Sequence, residues 1–316
     1  MNKNVILSST KALLVGLTGL AISSTASASA KAEQELRDYL SSLGVQDSFT
    51  WQRIRGDSLA DATIYGVVFT AAKGTAKEKK YLIKEMDFDD YQVTDNRVSV
   101  DVTYKGITDE DGVHLLLSKK LGANKDFQRL GYQQLDDMLL KLKYDMEKSN
   151  GALSGNLAIQ QKAVLDSQLD FKTEGVGAFV DQLIGLEAAT IDPELILLSA
   201  MTTKLHYISL DLKDDGLNQR MMTHDPNHRN NVTKQYQSCM KTVEEFSIDQ
   251  LQQGCDAIRD YFLAQKNKLH VSMKPAKPFV VAEYLPMYML MSRAGPQAAS
   301  ALIKQIVRDL NVTISN

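Results

Sequence analysis

The chain has 316 residues, and its 36 basic and 39 acidic side chains give a formal net charge of −3. A protein that binds nucleic acid would need a basic stripe, so this balance and a pI near 6.0 argue against a nucleic-acid partner. The length allows one large domain or two small ones, with a sizeable core.

The first 30 residues have the pattern of a cleaved signal peptide. Two lysines give a positive start, an apolar run occupies 12–22, and a tail of small residues follows. Cleavage after Ala28 or after Ala30 fits signal peptidase equally well. The apolar run is too short for a bilayer, which needs about 20 residues, and no cysteine follows that could carry a lipid. We therefore expect a periplasmic or secreted mature chain, 31–316, without a transmembrane span.

Amphipathic segments follow in an irregular order of helices and strands. Apolar residues at steps of three and four predict helices, and strict alternation predicts strands with one apolar face. The predicted helices are 33–43, about 127–148, a segment that begins at Asp192-Pro193, a hairpin of two helices around Ser247, and about 282–307 with a break near Gly295-Pro296. The predicted strands are 97–105, the region 157–171, a strand from 205 that ends near Met221, 269–273, and 309–316, with turns at Asp111-Gly112 and Asp215-Gly216.

Two histidines in the stretch "HDPNH" are candidate metal ligands. His224 and His228 are four residues apart, a spacing that can place both imidazoles on one helical face. Alternatively, Asp225 is an N-cap and Pro226 the first residue of a helix, which places His224 before the helix and His228 inside its first turn. No third ligand is evident. The helix start is therefore our interpretation, and the metal site is its alternative.

The only two cysteines, Cys239 and Cys255, lie on the apolar faces of two consecutive predicted helices. Both are eight residues from Ser247, where a capping-box pattern begins the second helix. Residues equidistant from the turn of an antiparallel hairpin lie side by side, so we predict a structural disulfide. Two buried free cysteines are the alternative. A redox pair is disfavoured because the chain has no Cys-x-x-Cys.

These elements predict an α+β fold with a largely antiparallel, curved sheet and amphipathic helices, including the disulfide-linked helix hairpin. Strands with one polar face are typical of antiparallel sheets, and the order lacks the regular alternation of a parallel sheet. We expect a single domain over 31–316, with a soft sub-boundary near residue 150.

The motifs of serine hydrolases, zinc proteases, phosphate loops and dinucleotide-binding loops are missing, so no catalytic residue and no cofactor is assigned. The stretch "FVVAEYLPMYMLM" (279–291) is rich in methionine and aromatic residues, which suit an adaptable apolar surface. Tyr284, Met287, Tyr288 and Met291 are its candidate contacts for an apolar ligand. A buried core helix would have the same composition.

The C-terminal half resembles a known group of proteins. A strand in "ISLDLKDDGLNQRMM" leads to the helix hairpin, "YFLAQKNKLHVSMKPAKPFVVAEYL" follows, and the chain closes on "LNVTISN". Over residues 150–316 this order is similar to exported bacterial proteins of the YdgA-like group, and more distantly to AsmA-like envelope proteins. The resemblance implies a periplasmic location and lipid binding by a curved sheet, and it implies no catalytic residues.

The sequence thus favours an exported, non-enzymatic protein that binds a lipid or acyl chain, or an envelope protein. The alternative is a hydrolase or metal-dependent enzyme whose acids and histidines are scattered along the chain. It would require a concave pocket where several of these side chains converge.

Overall fold

The computed structural model describes residues 28–121, 124–176, 201–246, 248, 251–294 and 296–316, with only the backbone at a few positions inside these ranges. Most of the predicted signal peptide, the helix predicted from Asp192 and the capping box at Ser247 lie outside the described residues.

The described ranges contain seven α-helices and twelve strands. The helices are α1 (Ala28–Ser42), α2 (Asn124–Arg129), α3 (Leu217–His224), α4 (His228–Phe246), α5 (Gln252–Phe262), α6 (Val281–Ala294) and α7 (Pro296–Leu310). The strands are β1 (Phe49–Thr50), β2 (Arg53–Arg55), β3 (Thr63–Ala71), β4 (Lys79–Val93), β5 (Arg97–Asp109), β6 (Leu139–Glu147), β7 (Ala152–Gln161), β8 (Leu165–Glu174), β9 (Lys204–Asp214), β10 (Lys268–Met273), β11 (Phe279–Val280) and β12 (Val312–Ser315).

All twelve strands belong to one antiparallel sheet. The order is β1-β3-β4-β5-β6-β7-β8-β9-β10-β12, while β2 pairs with β3 and β11 pairs with β9. Strands that follow one another in the chain are thus mostly neighbours in space, as hairpin connections favour. The order is linear from β1 to β12, so the sheet is open, and it is curved. The predicted α+β class with a largely antiparallel, curved sheet is confirmed.

The register of the strands produces one continuous apolar face. Residues directly opposite each other on antiparallel strands point to the same side of the sheet. One row of direct neighbours is apolar on all eight strands that it crosses: Phe88, Val102, Leu142, Leu157, Leu169, Leu210, Val271 and Ile314. The next row is Tyr91, Val100, Tyr144, Gly155, Phe171, Ile208, Met273 and Val312. We call the side that holds these rows the apolar face.

Helix α1 covers one end of the apolar face. As its spacing predicts, Leu36, Tyr39 and Leu40 are buried, and they pack in one cluster with residues of β3, β4 and β5. The carboxylate of Glu35 accepts a hydrogen bond of 2.7 Å from the backbone N–H of Leu59, which joins the helix to the turn before β3. The first buried residue that the structure describes, Ala32, follows both predicted cleavage sites, so cleavage at either would keep every residue of this cluster.

Helix α5 covers the other end, and the disulfide links it to α4. Tyr261 and Ala257 of α5 are buried with Leu269 of β10. A Cβ at Gly254 would lie 3.0 Å from the Cβ of Ile314, so glycine lets this helix approach β12 closely. Cys239 and Cys255 are bonded, with their Cα atoms 5.9 Å apart. The predicted disulfide in a helix hairpin is confirmed.

The helix predicted at about 127–148 is wrong. α2 ends at Arg129, Gly131 has a φ of +80°, and residues 139–147 form β6. The apolar residues of this segment fit a helical period, but Leu140, Leu142, Tyr144 and Met146 also alternate with polar residues. Pairing of β6 with both β5 and β7 decides between the two patterns, because tertiary context overrides local propensity.

The strand predicted to continue to Met221 is also wrong in its second half. β9 ends at Asp214, Gly216 has a φ of +118°, and residues 217–224 form α3. Helix α4 begins at His228, later than the start predicted at Pro226. Asp225 instead closes a turn between α3 and α4, since its carbonyl accepts from the N–H of His228 at 3.0 Å and its carboxylate from the N–H of Asn227 at 3.1 Å.

The predicted turn at Asp111-Gly112 is present after β5, where Asp109 holds it. The Asp109 carboxylate accepts hydrogen bonds from the backbone N–H groups of Asp111 and Val113, at 3.0 and 2.9 Å, and from the hydroxyl of Ser118. Burial alone would raise the pKa of this carboxyl, but the hydrogen bonds outweigh burial and hold the pKa below its ordinary value.

Candidate functional site

The middle of the apolar face, between the layers of α1 and α5, is only half-buried. Every apolar side chain that β7, β8 and β9 place on this face is of intermediate exposure, whereas both ends contain fully buried residues. We call the set Leu153, Leu157, Leu169, Phe171, Ile208 and Leu210 the central stripe. At a strand spacing of about 4.8 Å, the distance from β6 to β10 across the stripe is about 19 Å.

Gly155 shapes the stripe next to α1. It is the direct neighbour of Tyr144 on β6 and of Phe171 on β8. A Cβ at this position would lie 2.7 Å from Cζ of Phe171 and 3.0 Å from the carbonyl oxygen of Lys143. The Phe171 ring therefore lies over the glycine, a common way to fill the gap that glycine leaves in a sheet. The stripe is thereby continuous with Tyr144.

Four tyrosines meet where the stripe adjoins the buried core, one on α1 and three on the strands beneath it. Tyr39 of α1 has its hydroxyl oxygen 3.4 Å from that of Tyr144, and its ring centroid 5.5 Å from that of Tyr91. Tyr104 completes the group on β5, and we call these four residues the tyrosine cluster. Within the described part of the chain, the contact between Tyr39 and Tyr144 is the only hydrogen bond of the four hydroxyls.

The tyrosine cluster is partly desolvated, because Tyr39 is buried and the other three tyrosines are half-buried. Burial raises the pKa of Tyr104 and of Tyr91 to about 12. It also raises the pKa of Tyr39 and of Tyr144. The Tyr144 phenol further raises the pKa of each of the other three, which places all four hydroxyls within electrostatic reach of one another. The cluster is therefore a set of neutral O–H groups that can donate hydrogen bonds in an apolar setting.

The opposite face of the sheet carries a polar groove, which we call the outer groove. Its volume is about 420 Å³, and β7 to β10 and β12 line it. Nδ1 of His270 is 2.8 Å from Oδ1 of Asp211, and Ser315 is the direct neighbour of His270 on the other side. Lys213 and Asp166 pair at 3.2 Å on the same surface. The outer groove thus brings together acids and a histidine that are far apart in sequence.

The residues predicted to contact an apolar ligand in 279–291 lie on α6, which follows directly after β11, the short strand paired with β9. The Tyr284 hydroxyl donates to the carboxylate of Asp309 at 2.7 Å, and its ring stacks on Phe279 at 4.7 Å. Met291 is half-buried, Met287 is 41% exposed, and the side chain of Tyr288 lies outside the described part. Tyr284 thus ties α6 to α7, and Met287 remains on the surface, where Leu290 is 71% exposed.

The two histidines of "HDPNH" have separate environments. His224 ends α3 and is exposed, with its Nε2 beside Gly131. His228 is buried, and its Nε2 forms a hydrogen bond of 2.8 Å with the carbonyl of Phe262, the last residue of α5. His228 therefore connects α4 to α5. Across the described residues, no group of three or more His, Cys, Asp or Glu side chains is arranged to hold a metal ion.

Comparison with models of protein families and with curated proteins finds no match for this chain. No helix in the ranges described above is both long enough and apolar enough to cross a membrane.

The sequence patterns predict neither the central stripe nor the outer groove, and the reason is the same for both. Alternation identified the apolar residues of individual strands, but only the register shows that they form one row and that the row is half-covered. In the same way, Asp211 and His270 are polar residues of separate strands, and nothing in their local sequence links them. The histidine pair at spacing four gave the stronger sequence signal and does not form a shared site.

Proposed function

We propose that this chain is an exported, non-enzymatic protein that binds an acyl chain along the central stripe. The observation that carries the proposal is the continuous apolar face, which helices bury at both ends and which is half-buried in the middle. Apolar side chains that are left partly open to water over several neighbouring strands are unfavourable, and a contiguous apolar patch of this kind commonly marks a binding site. The resemblance of residues 150–316 to exported envelope proteins is in keeping with this proposal.

An acyl chain fits the stripe better than a polar ligand does. The six side chains of the central stripe have no hydrogen-bond donor or acceptor, so they can bind a ligand only through apolar contacts. A ligand there gains about 0.8 kcal/mol for each methylene that it removes from water. The length of the face, across several strands, suits an elongated chain, and the outer surface of the same strands is polar.

The test replaces two stripe residues that face each other. The variant carries Leu157→Asn and Leu169→Asn, which form a direct pair between β7 and β8. Each substitution removes about half of the apolar contact that the leucine side chain makes with the ligand. We expect a loss of about 2 kcal/mol, or roughly thirtyfold weaker binding of a fluorescent acyl probe. The matched control is Ala158→Asn with Gln168→Asn, the adjacent pair on the opposite face of the same two strands.

Two measurements decide the proposal. Mass spectrometry of the purified mature protein should detect co-purified lipid, and the stripe variant should lose both this lipid and the probe. If the wild-type protein binds neither, or if both variants bind as the wild type does, acyl binding on the stripe is wrong. Crosslinking in the cell envelope that captures a protein through these two positions would instead indicate that a partner chain covers the stripe.

A second candidate function, hydrolysis, is supported by the outer groove. The hydrogen bond between His270 and Asp211 orients an imidazole as in acid–base catalysis, with Ser315 as its neighbour on β12. Both members of the pair are open to solvent, with 36% and 55% of their side chains exposed, and such sites rarely activate a nucleophile without further burial. Labelling of Ser315 by a fluorophosphonate that disappears in a His270→Ala variant would support this function, and absence of labelling would exclude it.

A further inference from the structure

We infer that the tyrosine cluster receives an uncharged hydrogen-bond acceptor, the ester carbonyl oxygen of an acyl lipid, while the chain of that lipid lies on the central stripe. This inference rests on the proposed binding of an acyl chain and specifies its head group. It follows from the unused hydroxyl protons of the cluster, the charges around it, and its position relative to the stripe.

The cluster has more donors than the protein uses. Each phenol carries one proton, and among the described residues the only hydrogen bond that these hydroxyls make is the one between Tyr39 and Tyr144 at 3.4 Å. That contact uses one of the four protons, so three are left for another acceptor. The hydroxyls of Tyr91 and Tyr104 have no hydrogen-bond partner among the described residues, so a bound acceptor can use their protons. A carbonyl oxygen has two lone pairs and can accept from two of these phenols at once.

The surrounding charges select against an anion. The charged groups that act on Tyr91 are the carboxylates of Glu35 and Asp38, and both raise its pKa. None of the described side chains that shift the pKa of Tyr39, Tyr104 or Tyr144 is basic. A carboxylate or phosphate would thus be desolvated beside these two carboxylates, which is costly; among the described residues the cation that pairs with either of them is Lys31, 3.6 Å from Glu35 and already engaged there. An ester carbonyl accepts the same hydrogen bonds without this cost.

The position of the cluster joins it to the stripe. Tyr144 belongs to the same row of side chains as Gly155, Phe171 and Ile208, so the cluster begins where the stripe ends. Only Gly155 separates Tyr144 from the Phe171 ring in this row. A lipid whose chain lies along β7 to β9 would therefore bring its first polar group to Tyr144.

The experiment compares three competitors with the same chain length on the full mature protein: an acyl methyl ester, the free fatty acid at pH 8, and the alkane. Each displaces a fluorescent acyl probe. We expect the ester to bind about tenfold more tightly than the alkane, since one or two neutral hydrogen bonds give about a two- to tenfold gain each. We expect the free acid to bind more weakly than the ester.

Tyr104→Phe and Tyr144→Phe are the informative variants, and each should reduce the affinity for the ester about two- to tenfold without changing that for the alkane. Tyr207→Phe is the control, because Tyr207 lies in β9 on the opposite face. The Tyr104 hydroxyl has no hydrogen-bond partner among the described residues, so Tyr104→Phe should not destabilise the fold, even if Tyr144→Phe does. A purely structural role would change the unfolding midpoint but not the ratio of ester to alkane affinity.

Equal binding of ester and alkane, unchanged in both variants, would show that the cluster holds only water; the head-group inference would be wrong and chain binding on the stripe would stand. Tighter binding of the free acid than of the ester would also overturn the inference. If no competitor and no probe binds, the proposed function fails together with it.

Discussion

Removal of the disulfide should cost about 3 kcal/mol of unfolding free energy. Cys239 and Cys255 are separated by 16 positions in the chain. In the loop-entropy description, a bridge that closes a loop of this size lowers the conformational entropy of the unfolded chain by about 10 cal/mol/K. This stabilises the folded state by about 3 kcal/mol at 25 °C. Substitution adds a second cost, because the Cys255 side chain is only 2% exposed and its loss leaves space beside α5.

Three samples separate these two costs by urea unfolding: the oxidised protein, the same protein reduced by a thiol, and the Cys239→Ala/Cys255→Ala variant. The difference between oxidised and reduced protein isolates the bond and should be about 3 kcal/mol. The alanine variant should be less stable than the reduced protein by a further 1 kcal/mol, about the value of one buried methylene-sized group. The m value should change little if the native fold is kept.

A difference below about 1 kcal/mol between oxidised and reduced protein would refute the reasoning, since the bond would then restrict a denatured state that is already compact. A two-step unfolding curve for the reduced protein alone would show instead that the hairpin of α4 and α5 opens before the sheet. In that case the bond acts on a local opening and not on global unfolding.

Three further predictions follow from single features. The pKa of Asp109 is lowered in the folded protein, so the stability that this carboxylate contributes is present above the unfolded pKa near 4 and is lost as the pH falls through the folded pKa. In urea titrations between pH 5 and pH 2, an Asp109→Asn variant should therefore lose less stability than the wild type. Gly155→Ala should displace the Phe171 ring into the stripe, which would weaken binding of the acyl probe more than it lowers the melting temperature. Export from a bacterial host should yield a mature chain that begins at Ser29 or Lys31, as read by mass spectrometry of the intact protein, and retention of the leader would contradict the predicted signal peptide.

Local sequence patterns were sufficient to predict an element where its apolar residues fit either the helical spacing or the strand alternation, but not both. The α1 face at Leu36, Tyr39 and Leu40 has helical spacing and no alternation, and it was predicted correctly. Residues 139–147 satisfy both periods, so only the neighbouring strands could decide, and the prediction failed. The turn predicted at Asp215-Gly216 lies directly after β9, but the residues that follow it form the helix α3 and not the continued strand that was predicted to end near Met221.

The disulfide could be predicted because it depends on a local relation, equal distances from one turn. The candidate sites could not, since they depend on relations between strands. Leu157 and Leu210 lie on one row only because β8 pairs with both β7 and β9 in a particular register. A shift by one residue would turn one of them to the polar face. In the same way, the register of β9 against β10 brings Asp211 beside His270, and without it a histidine and an acid 59 positions apart are unrelated.

The arrangement of the apolar face also determines how selective the proposed site can be. A row of leucines recognises a chain through contact area alone, so an exchange such as Leu169→Met should preserve binding, because it keeps volume and apolar character. Discrimination between lipids must then come from hydroxyl groups beside the stripe, and in the proposed geometry these are the hydroxyls of the tyrosine cluster, which adjoins the stripe at Tyr144. Chain length and unsaturation should therefore affect affinity gradually, through the area buried, whereas loss of the ester carbonyl should affect it in one step. A protein that showed the reverse, with sharp discrimination of chain length and indifference to the carbonyl, would need a closed end to the stripe and could not bind by the geometry proposed.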